Sequence, residues 1–403
     1  MATMSDHTVQ VLRGEDDLRA AYDLLRHGLH APPASAEDWQ RVRGAYQEGN
    51  TLGVFDDTLI GTARFFDSEL VLPGGDRVPM AAVTGVAVRP NRTRRGVLTE
   101  LMHTQLTDLA ERGVPVAGLV ASEGLIYGRF GYGIATTSRS YTVDRRRAVP
   151  RPDLPLGGEV ELFDLDTALE WLPAVYRDLA PRWPGMMTRG RYWWPAGGVF
   201  MGRTENPVTV AVHHGPGGAD GYAVYQVDRS DPRHGAVLKL IDFHYGSFSA
   251  FAGIWRYLLG VDLVAEIEAS ARPRDEYAEL LFTDPRAVRA TGAGDDIWLR
   301  LVDVPGALRA RERGQGTVVL EVVDPLLESN SGRYLVSAGE VSKVTTPAGL
   351  RLNVDTLAMI YLGGWRPSAL AEAGRIEVAD PAAVVAADSL FATRRAAWCG
   401  TFF

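Results

Sequence analysis

The chain has one cysteine in 403 residues, Cys399, which excludes an internal disulfide framework and any cysteine-cluster metal site and fits a reducing compartment. It has no apolar stretch of about 20 residues, so no segment is suited to span a bilayer as a helix, and no membrane partner is expected. The first residues, MATMSDHTVQ, lack the basic start and apolar run of a signal peptide, and the expected location is the cytoplasm. Positive charge is also short: 42 lysines and arginines against 50 aspartates and glutamates leave a formal charge of -8. That balance argues against a nucleic-acid binder that relies on phosphate neutralisation, and it favours cationic small molecules or basic peptides as partners. His27, His30, His103, His213, His214, His234 and His244 show no metal-ligand spacing, so structural histidines and no metal are expected. His213 and His214 are adjacent on an expected strand and should point to opposite faces. What the chain does have is 46% apolar and 23% charged residues, the range of ordinary globular proteins, with enough length for two or three cores.

Leu18, Ala21, Tyr22, Leu25 and Leu29 lay an apolar stripe along a helix whose positive end carries Glu15, Asp16 and Asp17, and a second helix is expected after Ser35. Segments 52–55 and 59–66 read as a hairpin through Asp56-Asp57; 70–72 turns at Pro73-Gly74-Gly75 and returns as 78–88. Pro90-Asn91 breaks that strand. Leu98, Leu101, Met102, Leu106 and Leu109 then recur at helical spacing over 97–112, followed by a strand at 116–120 and a short helix from Ile126 to Gly131. Two helices, a meander, a helix and a parallel neighbour make an α+β layer that resembles the element order of GNAT acyltransferases.

The arginines and prolines of 145–155 mark a domain boundary. A second α/β unit follows, with a helix over 165–180, strands at 208–213, 221–226 and 236–244, a helix over 251–259 and a strand at 279–282. The glycine-rich stretch 290–296 reads as a linker, and the rest alternates strands such as 316–323 with a helix over 354–361. Trp183, Tyr192, Trp193 and Trp194 read as packing, with an aromatic wall for a cation as the alternative.

A donor such as acetyl-coenzyme A needs backbone N–H groups at a helix start for its pyrophosphate and a donor aimed at the thioester oxygen. The run Arg92-Thr93-Arg94-Arg95-Gly96-Val97-Leu98-Thr99 lies between an expected strand and helix, where amides converge on an anion. Gly96 allows close approach and the arginines add charge. An exposed basic turn that only caps a helix has the same composition. Upstream, Thr84-Gly85-Val86-Ala87-Val88 ends the strand; a bulge there would free the amides of Val86 and Val88, whereas an unbroken buried strand would not.

Val86-Ala87-Val88-Arg89-Pro90 with Arg94-Arg95-Gly96, then Ala121-Ser122-Glu123-Gly124-Leu125-Ile126-Tyr127-Gly128-Arg129-Phe130-Gly131-Tyr132-Gly133, resembles the Enhanced intracellular survival (Eis) acetyltransferases. The likeness runs on through Thr142-Val143-Asp144-Arg145-Arg146-Arg147. Leu357-Ala358-Met359-Ile360-Tyr361-Leu362-Gly363-Gly364 is similar to that family's sterol-carrier-protein-like domain. The resemblance implies tandem GNAT domains, the second without cofactor, followed by a sterol-carrier-like α/β domain; the boundaries at 145–155 and 290–296 set their limits at 1–150, 151–290 and 291–403. It also implies a homohexamer that acetylates several amines of aminoglycosides, with lysines or other cationic amines as substrates of some members. The implied cofactor contacts are Val86, Ala87 and Val88, Arg94, Arg95, Gly96, Val97, Leu98 and Thr99, and Ser122 and Glu123. In the general GNAT pattern an arginine or glutamine stands three residues before the glycine and a glycine or alanine two after it; here these positions hold Thr93 and Leu98.

Amine attack on a thioester needs a group to remove the ammonium proton and another to protonate the thiolate. Tyr127 follows the expected strand by a few residues, where a phenol can reach the sulfur, and it stands at the family's catalytic tyrosine. Tyr132 reads as packing in the same turn. No carboxylate pair or histidine of the first domain stands out as base. Trp398-Cys399-Gly400-Thr401-Phe402-Phe403 ends in aromatics, as an anchored tail does, and the family's use of a terminal carboxylate assigns the base to Phe403. The acceptor pocket is expected near Asp23 and Glu37 on the first helices and beside this tail. The expected activity is N-acetylation of aminoglycosides and similar cationic amines. Protein lysine or polyamine acetylation is the alternative, and a lipid carrier with a vestigial donor site is the reading from another class.

Overall fold

The computed structural model describes residues 8–179, 183–194, 206–230 and 235–403; His234, Ala180 at the end of one expected helix, and residues 1–7 lie outside these. The described chain packs as two units. The first comprises Met1–Thr136, Trp183–Tyr192 and Asp296–Phe403, the second Thr137–Arg182 and Trp193–Asp295.

The first unit opens with β1 (Val9–Val11) and α1 (Glu15–Gly28), whose first turn is acidic and whose Leu18, Ala21, Tyr22 and Leu24 are buried. The next helix, α2 (Ala36–Val42), starts at a capping box, with the Asp38 amide donating to Ser35 Oγ at 3.0 Å and the Ser35 amide to Asp38 Oδ2 at 3.1 Å. β2 (Thr51–Asp56), β3 (Thr58–Val71) and β4 (Arg77–Val88) form the expected meander, followed by α3 (Val97–Glu111) and β5 (Val116–Leu119). The helix expected to end at Gly131 is a single tight turn, Gly128–Phe130, leading into β6 (Gly133–Ile134).

The second unit contains β7 (Thr137–Asp144), β8 (Glu159–Asp164), α4 (Leu165–Leu169), α5 (Leu172–Asp178), β9 (Val208–Gly215), β10 (Gly218–Asp228), β11 (Ala236–Tyr245), α6 (Phe248–Gly260), β12 (Val264–Pro273) and β13 (Val288–Asp295). They form a sheet in the order β13-β7-β12-β11-β10-β9-β8, with β11 and β12 parallel. Three expectations need correction here. The helix over 165–180 is two short helices, because Pro173 in the first turn of α5 has no N–H with which to continue α4. The strand expected over 279–282 is a helical turn, Ala278–Leu281. The linker expected over 290–296 is β13, paired with β7 from Val288↔Val143 to Asp295↔Thr137. Its small residues carry no strand signal; the neighbouring strand imposes the pairing through the backbone.

The chain re-enters the first unit at β14 (Trp298–Leu301) and continues through α7 (Val304–Ala310), β15 (Thr317–Val323), β16 (Gly332–Ser337), β17 (Val341–Lys343), β18 (Leu350–Asn353), α8 (Val354–Tyr361), α9 (Pro367–Glu372), β19 (Ile376–Val378) and α10 (Pro381–Phe391). One sheet of this unit runs β1-β2-β3-β4-β5-β14-β6 and the other β17-β16-β15-β18-β19. Strand membership thus crosses the limits drawn at 150 and 290, with β7 in the second unit's sheet and β14 in the first unit's. Residues Trp183–Tyr192 also pack with the first unit: Val71 donates to the Met186 carbonyl at 2.8 Å and Thr188 to that of Glu69 at 3.0 Å. One continuous core joins Leu70, Leu72 and Met80 of the meander to Leu320, Leu357, Ile360 and Leu390 of the last third.

That seam contains a fully buried ion pair. Arg300 on β14 donates to both carboxylate oxygens of Asp324 at 2.8 and 2.7 Å, and Asp324 also accepts from the amides of Leu326 and Leu327 and from Asn330 Nδ2. Removing one partner strands the other charge without water, which costs about 3–5 kcal/mol. Asp324→Ala is therefore expected to lower the urea midpoint of the first unit by an amount equivalent to several kcal/mol, followed by tryptophan fluorescence; an unchanged midpoint would show the pair to be dispensable.

Candidate active site

The end of β4 is shaped by a break in register. Thr62 pairs with Ala87 and Arg64 with Thr84, so Gly85 and Val86 both stand opposite Ala63. This is a bulge. Gly85 sits at φ 63, and a Cβ on it would lie 2.9 Å from Arg64 Cγ, so only glycine fits there. β4 pairs with β5 only from Met80↔Val116 to Ala82↔Gly118. Beyond that point β4 keeps β3 on one edge while its other edge has no strand among the described residues. The Arg89 amide donates to the Ile60 carbonyl at 2.8 Å, on the β3 side. Successive amides of an extended chain alternate between edges, so those of Val88 and Val86 face the open side while that of Ala87 faces β3.

The turn after β4 is held by its own polar groups. Arg89 Nε donates to the Leu59 carbonyl at 2.7 Å, Arg92 pairs with Asp56 at 2.8 Å, and Thr93 Oγ1 donates to the Pro90 carbonyl at 3.1 Å. Arg94 and Gly96 both take positive φ, 62 and 85, and α3 begins at Gly96 with no side-chain cap. Its first amides are therefore left for an outside acceptor, at the positive end of a 15-residue helix. Arg94 and Arg95 are exposed, and neither has an ion pair among the described residues. Val97 is buried with Leu101 under β2 and β3, Leu98 packs on the cluster around Phe65 and Leu106, and Thr99 is half-buried in the first turn. Ser122 and Glu123 are exposed in the turn after β5, where the Ile126 amide donates to the Glu123 carbonyl at 3.2 Å.

Tyr127 enters from that turn. Its carbonyl accepts from the amides of Phe130 at 3.0 Å and Tyr132 at 3.3 Å, which fixes its backbone. Its ring is buried with Phe65, Val83 and Met102, and burial pushes the phenol up to about 12, so it is protonated at neutral pH. Tyr132 meets it edge-on at 6.0 Å; its fully buried hydroxyl has no hydrogen-bond partner among the described residues, as suits a packing role.

The C-terminal segment is clasped from several sides. Asp296 Oδ2 accepts from the Cys399 amide at 2.7 Å, from Thr136 Oγ1 at 3.0 Å and from the Gly400 amide at 3.4 Å. Arg189 donates to Thr401 Oγ1 and to the Gly400 carbonyl, each at 3.1 Å. The Trp398 amide donates to the Pro184 carbonyl at 2.8 Å, and its ring meets Trp183 at 5.4 Å. The clasp brings the Phe403 ring edge-on to Phe66 at 5.7 Å, while Phe402 is 60% exposed. Tyr127 shares the buried cluster of Phe65, and the Phe403 ring meets Phe66, the next residue of β3. Neither Asp296 nor Arg189 was singled out in the sequence; only the aromatic tail itself hinted that something must hold it. Asp23 and Glu37 are exposed and paired with Arg19 and Arg41 one turn away, at 3.4 and 2.6 Å. Their charges are thereby partly offset.

His213 is buried between the Gly158 amide and the Asp220 carboxylate, while His214 next to it is on the opposite, accessible face. Among the described residues no group of three or more His, Cys, Asp or Glu side chains is placed to hold a metal ion, and no helix is long and apolar enough to cross a membrane.

Residues 12–135 and 185–301 each match families described as acetyltransferase (GNAT) domains, and residues 304–400 match the sterol carrier protein domain. The fold is therefore the expected tandem of GNAT domains followed by a sterol-carrier-like domain, and GNAT domains use acetyl-coenzyme A as donor. The N-acetyltransferase Eis of Mycobacterium tuberculosis is 35% identical over 356 residues, covering 83% of each chain. An uncharacterized N-acetyltransferase of Streptomyces griseus is 34% identical over 397 residues, 93% of this chain and 92% of that one. The crystal structure of Eis1 from Mycobacterium abscessus superposes with a TM-score of 0.90 at 38% identity, covering 98% of this chain and 100% of that one. An N-acetyltransferase of the GNAT type by its domains and related along nearly its whole length to such enzymes, the chain belongs to the Eis family.

Proposed function

We propose that this enzyme transfers acetyl groups to amines of aminoglycosides and similar cationic substrates, at more than one position. The observation that carries the assignment of the donor site is the bulged, open edge of β4 lying next to a helix start with no side-chain cap and two exposed arginines. Acetyl-coenzyme A supplies an activated acyl group and a thiolate leaving group. Val86, Ala87 and Val88 would hold its arm along the open edge, and the amides of Arg94, Arg95, Gly96, Val97, Leu98 and Thr99 its pyrophosphate. Ser122 and Glu123 would line the opposite wall. Tyr127, kept protonated by burial, gives its proton to the departing sulfur. The Phe403 carboxylate takes the proton of the acceptor ammonium, with the Phe66 and Phe403 rings forming an aromatic floor for that cation.

The domain limits 1–150, 151–290 and 291–403, a homohexameric assembly and a cytoplasmic location belong to the same proposal; the assembly follows from the family likeness. A protein lysine or polyamine is the second reading of the acceptor. The lysine form of it is favoured by the uncharged Thr401 and Phe402 next to the proposed base and by the arginine pairing of Asp23 and Glu37, which leave little acidity for a polycation such as an aminoglycoside or a polyamine. A lipid-carrier role has less support: Leu320, Val322, Tyr334 and Leu357 fill the last domain's own core, and a cleft of about 350 Å3 there is lined by Arg351, Asn353, Asp355 and Arg375.

Thiol release from acetyl-coenzyme A with aminoglycosides, spermidine and a lysine peptide tests the acceptor; activity on the peptide alone would reverse the order of the two readings. Tyr127→Phe should lower kcat by about 100-fold with the KM for acetyl-coenzyme A nearly unchanged, as loss of a general acid does. With the phenol at about 12, the intact enzyme should show no loss of rate from Tyr127 ionisation up to pH 10; an alkaline fall centred near 9 would remove it as the acid. Replacing Arg94 and Arg95 with glutamine should raise the KM for acetyl-coenzyme A about tenfold at low salt, and by less at high salt because exposed charges are screened. A KM that does not move would place the pyrophosphate elsewhere.

A further inference from the structure

The segment that ends at Phe403 is fixed close to its end by side chains outside the groups assigned to the chemistry. A single oxygen of Asp296 accepts from two consecutive amides of the tail, Cys399 and Gly400, and from Thr136 Oγ1. Arg189 holds Gly400 a second time, through its carbonyl, and the next residue through Thr401 Oγ1. The neighbouring anchors are rigid, since Trp398, Cys399 and Thr401 are all buried. Gly400, at φ 64, makes the turn between them. Only Phe402, exposed, separates this clasp from Phe403, and with a span of about 3.5 Å per residue any slip at Gly400 passes to the terminal carboxylate almost undiminished.

Bonds from neutral amides to a carboxylate are charge-assisted and shorter than those to a neutral oxygen, so the acceptor's charge sets how tightly the tail is held. We infer that Asp296, assisted by Arg189, is a positioning residue for acetyl transfer, acting through the tail to place the Phe403 carboxylate against the acceptor amine. It touches neither donor nor acceptor. The inference rests on the assignment of that carboxylate as the base, and it adds the groups that make the assignment workable. A displacement of about 1 Å at a reacting group can cost up to 100-fold in rate, so weakening the clasp should act on turnover well before it acts on the fold.

The test uses the full chain with acetyl-coenzyme A and the best acceptor among kanamycin, spermidine and a lysine peptide. Four forms are compared: intact, Asp296→Asn, Thr401→Val, and Phe403 deleted, together with each substitution in the deleted background. Asp296→Asn keeps the shape and removes the charge, and Thr401→Val removes only the Arg189 contact, so at least one variant retains the fold; the melting temperature checks this. The expected result is a fall in kcat of about tenfold for Asp296→Asn and a smaller fall for Thr401→Val, with coenzyme A affinity unchanged. Neither substitution should lower the rate further once Phe403 is absent. A merely structural role would instead give the same fall in both backgrounds, which would overturn the inference. So would a folded Asp296→Asn enzyme with full turnover while deletion of Phe403 remains damaging. If deletion of Phe403 leaves turnover intact, the terminal base fails, and the positioning role fails with it.

Discussion

The buried contact between Arg300 and Asp324 constrains everything around the turn that carries Tyr127. Neither group reaches water, so each needs the other, and the strand that carries Arg300 cannot shift without exposing a charge to an apolar interior. Arg300 belongs to β14, which lies between β5 and β6 in the first sheet, and Asp324 directly follows β15 of the last sheet. The turn carrying Tyr127 rests on this seam. A Cβ on Gly131 would come within 2.9 Å of Arg300 Nε, and one on Gly133 within 2.0 Å of the Asp355 carbonyl at the start of α8. The glycines beside Tyr127 thus serve close approach to the last domain, which forms the rear support of the acetyltransferase site.

The two sides of the site differ in charge. On the proposed donor side, Arg94 and Arg95 are exposed with no ion pair among the described residues, beside helix amides without a side-chain cap, an arrangement suited to a polyanion. On the proposed acceptor side, Asp23 and Glu37 are each tied to an arginine of their own helix, and the rings of Phe66 and Phe403 meet edge to face. In the proposed site, selectivity for an amine would depend more on aromatic surface and on one carboxylate than on a broad negative field. Such a surface tolerates different carbon skeletons, since the face of a ring attracts a cation with little regard for what carries it.

Much of the first sheet was legible because each signal was local. The acidic start of α1, the box at Ser35 and Asp38, the turn at Pro73-Gly74-Gly75 and the helical spacing from Leu98 to Leu109 each involve residues within a few positions of one another. The bulge at Gly85 was readable as a possibility, because a glycine close to a strand end invites one. What escaped was set by partners far away in sequence. The residues 290–295 look like a linker, and only β7 makes them a strand. β12 left no clear signal among its charged residues. Asp296 is one acidic residue among 50 acidic residues, and nothing local marks it as the acceptor for amides about a hundred positions downstream.

The path of the chain has a consequence for how the protein is made. β5 finds its partner β14 only after some 180 intervening residues, because Val116 pairs with Leu301 and Leu119 with Trp298. During synthesis, at about 5–20 residues per second, the first sheet therefore stays open on that edge for roughly ten seconds or more. An unpaired strand edge and an uncovered apolar face attract other chains for as long as they persist. The nascent first domain is accordingly a natural client for chaperones until the third has emerged, and fragments cut after β6 should associate rather than fold as free-standing transferases.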